Sequence, residues 1–136
     1  MASITLLKRY LLILSAASLQ HCKSFDMCRN DLIAEYPGPN NKLKAVVFQR
    51  ECGATTDFST QVSLISIDES LPDQGGNLFA ADTDHGRAPA IIQGGPEVRI
   101  KWEGPHRLVL GHHVQARIFL AEKERNEITV SYRSFQ

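Results

Sequence analysis

The chain has 136 residues, with 15 Lys and Arg balanced by 15 Asp and Glu, 43% hydrophobic residues, 7% aromatic residues and three cysteines. That length holds one domain rather than two independent cores, and the balance lacks the basic excess of a nucleic-acid-binding protein. The apolar content is too high for a disordered chain, and no apolar run approaches the roughly 20 residues of a membrane-spanning helix.

Residues 1–22 read as an export signal. Lys8 and Arg9 supply the positive region, Tyr10 to Leu14 begin a short apolar core, and the small residues Ser15 to Ser18 follow. This order is that of a secretory leader, and the core is too short to span a bilayer. Two processing routes compete. Ala16-Ala17-Ser18 offers ordinary small-x-small cleavage, whereas Leu19-Gln20-His21-Cys22 is similar to a bacterial lipobox, with His21 where a small residue is expected. In the second route Cys22 carries a lipid anchor. Removing residues 1–22 takes away Lys8 and Arg9 and leaves residues 23–136, a single β-rich domain with a net charge of −2.

With Cys22 in or beside the leader, Cys28 and Cys52 remain for the domain. Leu32–Tyr36 and Leu43–Phe48 read as strands, and Pro37 to Lys42 between them is dense in turn residues. If Tyr36 faces Leu43, Cys28 falls opposite Glu51, one residue from Cys52. A disulfide is expected to close the open end of this hairpin, a loop for which chain entropy gives ~3 kcal/mol. Two buried free thiols are the alternative. Zinc fits less well, because no Cys-x-x-Cys pair exists.

Gly53 to Thr60 reads as loop and Gln61–Ile67 as a strand buried mainly on one face. Asp68 to Asn77 is a connection, and Leu78–Ala81 is a short strand ending in Asp82-Thr83-Asp84-His85-Gly86. Arg87 to Pro96 is rich in Pro and Gly and reads as irregular. Val98–Trp102 alternates strictly, with Val98, Ile100 and Trp102 on one face. Arg107–Leu110, Ala116–Leu120 and Ile128–Tyr132 complete the strands, with a charged turn over Glu122 to Glu127. After the leader no segment carries a sustained 3.6-residue apolar stripe, and only Leu120 to Arg125 has the length of a helical turn. The fold class is all-β: a single small sandwich or bent antiparallel meander. The two Gly-Pro turns at Gly38-Pro39 and Gly104-Pro105 echo propeller blades, but about four blades are needed and the chain is too short.

The densest polar cluster is Asp82, Asp84 and His85. From an extended segment Asp82 and Asp84 project the same way, next to His85, which suits a metal or acid/base site. The opening Asp-x-Asp is similar to a calcium loop, but Gly86 falls one place early and Gln93 stands where Glu is required. The alternative is a strand end whose aspartates cap a turn. His112 and His113 point to opposite faces of a strand, so one at most could join His85, and solvent exposure is expected for them. Ser59 or Thr56 with His85 and Asp82 would make up a triad, without the Gly-x-Ser-x-Gly elbow. Gly94-Gly95-Pro96 precedes a strand and lacks an N–H that a phosphate loop needs. Trp102 is expected in the core.

The strings Cys52 to Thr56, Ser59 to Ser63, Ala81 to Gly86 and Gly94 to Val98 resemble a family of small exported bacterial proteins to which no chemistry is assigned. The resemblance covers roughly Cys28 to Tyr132 and implies export and one domain. The expectation from residues and resemblance together is an exported β-domain, periplasmic or lipid-tethered, without a cofactor. It would act as a non-enzymatic binding module of inhibitor or immunity type on an envelope protein or cell-wall component. The rival is a small metal-dependent or hydrolytic enzyme centred on Asp82, Asp84 and His85. Convergence of those side chains with His106, His112 or Ser59 around a pocket would favour the rival.

Overall fold

A computed structural model describes residues 27–53 and 56–136. Residues 1–22, read above as an export leader, and Cys22 among them lie outside the described residues. Nine strands make up the domain, and no helix occurs among the described residues. They are β1 (Arg29–Pro37), β2 (Leu43–Glu51), β3 (Ser59–Ser66), β4 (Phe79–Asp82), β5 (Val98–Trp102), β6 (Arg107–His113), β7 (Arg117–Ala121), β8 (Glu124–Arg125) and β9 (Ile128–Phe135). The first sheet runs β1-β2-β3-β4-β7 and the second β5-β6-β9-β8. The fold is therefore all-β and a sandwich.

Strand alternation builds the core. Ala45 and Val47 of β2, Val62 and Leu64 of β3, and Phe79 and Ala81 of β4 meet Leu108 and Leu110 of β6 and Ile128 and Val130 of β9. Val98, Ile100 and Trp102 close one flank, as their alternation predicts. The Trp102 indole N–H donates to the Tyr36 carbonyl at 2.9 Å and so ties β5 to β1 across the two sheets. β2 is buried on both faces. Val46 and Phe48 pack with Ile65 under Leu71, in the connection that Asn30 holds down through the Pro72 and Gln74 carbonyls.

Three features differ from the reading of the sequence. At the first turn Tyr36 pairs with Ala45, not Leu43, and a bulge at Ile33 takes back one residue, so Arg29 faces Glu51. Cys28 and Cys52 thereby stand together and form the expected disulfide, 24 residues apart in sequence. Ser59 and Thr60, read as loop, begin β3, because their neighbours on β2 and β4 supply the ladder. β7 joins the first sheet through β4, and β9 pairs with β6 in parallel, so the domain is not an all-antiparallel meander. The charged turn is where it was expected, with the short strand β8 added to it: Asn126 and Glu127 take positive φ (48° and 64°) and join β8 to β9 as a tight hairpin.

Candidate functional site

The starts of β1, β3 and β7 lie beside the ends of β2 and β4, so their loops gather at one end of the sandwich. Asp82, the last residue of β4, faces Arg117, the first of β7. Its side chain is buried, and it accepts the Arg117 Nε–H at 3.1 Å on Oδ1 and an Nη2–H on Oδ2. Oδ1 also accepts the Asp84 N–H at 2.9 Å, and Thr83 Oγ1 accepts the Gly86 N–H at 3.1 Å. These two bonds close the turn. Burial pushes the Asp82 carboxyl upward, but the Arg117 hydrogen bonds, the Asp84 N–H and the nearby charges outweigh it and leave it below its ordinary range. The same pairing raises Arg117.

Asp82 and Thr83 together close the turn. Asp84 and His85 occupy the left-handed region at φ 51° and 57°, and the Asp84 carboxylate lies 3.7 Å from the Arg87 guanidinium three residues on. Asp84 and Asp57 each hold a carboxylate oxygen 3.9 Å from an Arg117 nitrogen. The His85 ring lies 3.6 Å from the Asp57 carboxylate and is 77% exposed. Arg117 is the hub, a residue that the sequence offered only as part of an alternating strand.

Asp82, His85, Asp57, Ser59, Arg117 and Phe119 line an open cleft of about 470 Å³. Ser59 does converge here, but not as a nucleophile. Its hydroxyl donates to the Arg50 carbonyl at 3.2 Å and accepts from the Gln61 amide at 2.9 Å, while the Thr56 hydroxyl donates to the Gly53 carbonyl at 3.1 Å. Neither hydroxyl is coupled to His85, so no Ser/Thr–His–Asp relay is assembled. His106 stands at the opposite turn, at the start of β6. His112 is half-buried against Phe79, with ring centroids 5.9 Å apart, and His113 packs edge-on against Phe135. Both were expected to be solvent-exposed. Phe79 from the facing sheet covers the first, and Phe135 on the neighbouring strand β9 covers the second. Among the described residues no three His, Cys, Asp or Glu side chains are grouped to hold a metal.

The same end carries a second feature. The segment read as irregular, Arg87 to Pro96, is a pinned loop. The Ala88 N–H donates to the Thr83 carbonyl at 2.9 Å, and Ala88 is fully buried. At the other foot the buried Thr60 hydroxyl donates to the Pro96 carbonyl at 2.6 Å. Gly94, at φ 109°, lies against the Phe58 ring, where a Cβ would come within 2.5 Å of Cδ2. Between the feet, Ile91 N–H to Gly95 O and Gly94 N–H to Ile91 O, both 2.8 Å, close a tight turn. Ile92 at its tip is 97% exposed. Met27, Phe58, Val114, Ile118 and Phe119 are also exposed at or near this end. An Ile-Ile pair inside a Gly/Pro loop was the sequence signal for this feature.

No family model, curated protein or solved structure matches the chain. The chemistry rests on the geometry above.

Proposed function

We propose that the chain is an exported, envelope-associated binding module without catalytic activity, of inhibitor or immunity type, acting on an envelope protein or a cell-wall component. One observation carries this reading: the loop from Pro89 to Gln93 is braced at both feet and offers Ile92 to solvent. A single exposed apolar side chain is ordinary, but Ile92 stands with the exposed Phe58, Ile118 and Phe119 at one end of the sandwich; such a patch marks an interaction surface, and a loop ordered in advance loses little entropy on binding. Loops gathered at one end of a β-sandwich are a recurrent binding surface. The leader of residues 1–22 and the motif resemblance support export, with Cys22 as the site of a lipid tether if the second processing route applies. The enzyme reading needs Asp82 free to exchange a proton or a ligand. Arg117 and the Asp84 N–H already occupy its carboxylate.

The test is capture from envelope extract by immobilised protein, wild type against Ile92→Asp. The expected outcome is a species retained by the wild type and lost with Ile92→Asp, without chemical alteration of that species. Retention that ignores the substitution, or turnover of the captured molecule, would overturn the reading.

A further inference from the structure

We infer that the outer face of the second sheet holds a binding notch for a phosphate monoester carried on a sugar. Strict alternation along β5 turns Arg99 and Lys101 away from the core, opposite Val98, Ile100 and Trp102. The register then sets Arg99 of β5, Gly111 of β6 and Arg133 of β9 in one row across the sheet, with Lys101, Val109 and Ser131 in the next. Two strand spacings separate the backbones that carry the two arginines, roughly 10 Å. The residue between them has no side chain.

The result is a notch of about 230 Å³ walled by Arg99, Lys101, Arg133 and Phe135 and floored by Gly111 and Val109. A Cβ on Gly111 would stand 3.3 Å from the Arg99 Cβ and 3.6 Å from the Phe135 ring, so any larger side chain fills the space. Three cations line the notch, and among the described residues no carboxylate does.

Each arginine is held by a carboxylate on the same face and keeps donors beyond that pairing. Arg99 lies 3.7 Å over the Phe135 ring, and its Nε–H and an Nη2–H donate to Glu97 at 2.9 and 3.2 Å. Glu97 sits outside the notch, at the start of β5. At the far end of β5, Glu103 steadies Arg133 from 3.8 Å. A guanidinium has five N–H donors, so both retain donors beyond these contacts. Lys101 adds three. Three cations against the two carboxylates of Glu97 and Glu103 leave a net positive charge here, and guanidinium pairs suit the oxygens of a tetrahedral phosphate. The apolar floor at Val109 and Gly111 accepts the carbon skeleton. This site lies on a different face from the loop end and does not depend on it.

Glucose 6-phosphate, inorganic phosphate and glucose are titrated calorimetrically into the protein, and anionic and zwitterionic phospholipid vesicles are tested by co-sedimentation. Saturable binding of glucose 6-phosphate is expected, with phosphate weaker and glucose absent. Arg133→Ala and Lys101→Ala should each weaken it about tenfold or more, with circular dichroism unchanged. Gly111→Leu should abolish it, and Arg87→Ala, outside this face, should not affect it. Phospholipid headgroups carry their phosphate as a diester, so anionic vesicles are expected not to bind, and vesicle binding with the same mutational pattern would overturn the monoester assignment. Vesicle binding without glucose 6-phosphate binding would overturn the proposal, as would glucose 6-phosphate binding that survives both single alanine variants.

Discussion

Replacing Asp82 by alanine tests whether the cluster at the end of β4 is structural. The substitution removes three hydrogen bonds at a carboxylate whose side chain is only 5% exposed. Loss of the turn-closing bond to the Asp84 N–H should cost about 1 kcal/mol, as for lost capping side chains. The bonds from Arg117 are charge-assisted, but the Arg117 side chain is 42% exposed and regains water when released, which discounts them. The expected total is about 2–3 kcal/mol at neutral pH. Asp82→Asn keeps an acceptor for Asp84 and should lose less.

The pH dependence adds an independent check. The folded carboxyl lies below its ordinary range, so its contribution is fully present above the unfolded value of about 3.9. It is lost as pH falls through the depressed folded value. Urea unfolding of wild type and Asp82→Ala at pH 7, 5 and 3 should therefore show a wide gap at the first two and a narrower one at the third. A catalytic or ligand-binding Asp82 would leave stability unchanged or improved on truncation. A gap below about 0.5 kcal/mol at pH 7, or one that does not change with pH, would refute the structural reading.

Four further outcomes are expected. Cys28→Ser should lower stability by about 3 kcal/mol in urea unfolding under oxidising conditions, from the loop it closes, and intact mass of the wild type should show no alkylated thiol at Cys28 or Cys52 before reduction. Gly95→Ala would place a Cβ 2.3 Å from the Thr60 hydroxyl and 2.9 Å from its amide; a loss of at least about 2 kcal/mol by thermal melting, with faster proteolysis between Ala88 and Pro96, is expected. Burial, with Glu122 adding to it, pushes the Tyr132 phenol up to about 12, so ultraviolet titration should show a late-ionising tyrosine that Tyr132→Phe removes, and wild-type stability should fall as pH climbs from about 10 towards that value. Residues 1–22 fused to a reporter active only after export should give signal, and a silent but expressed fusion would contradict the leader reading.

Strand identity was largely legible, because period-two alternation survives in Val98–Trp102 and Ile128–Tyr132 even without tertiary context. Strand partnership was not. Alternation says which face a residue takes but not which neighbour supplies the ladder, so nothing local marked β9 for β6 or sent β7 to the other sheet. The Asp82–Arg117 pair is hidden for the same reason, since 35 residues separate its members. Asp82, Asp84 and His85 were visible as a polar run, yet their roles hinge on two positive φ angles and on Thr83. Arg99 and Lys101 could have been found, because the alternation that buried Trp102 also aimed both cations at the outer face.

The position of β9 has a kinetic consequence. A chain made from its N-terminus can form the hairpin of β1 and β2 early, but β9 comes after the other eight described strands and lies in the interior of the second sheet, between β6 and β8. Until those residues arrive, β6 keeps an open edge and the Leu108–Leu110 face has no lid on that side. Ordering by distant partners rather than near ones slows commitment to the folded state. A ribosome stalled before residue 128 therefore carries all of the first sheet and the β5–β6 pair, but β6 still lacks the cover that Ile128 and Val130 give it.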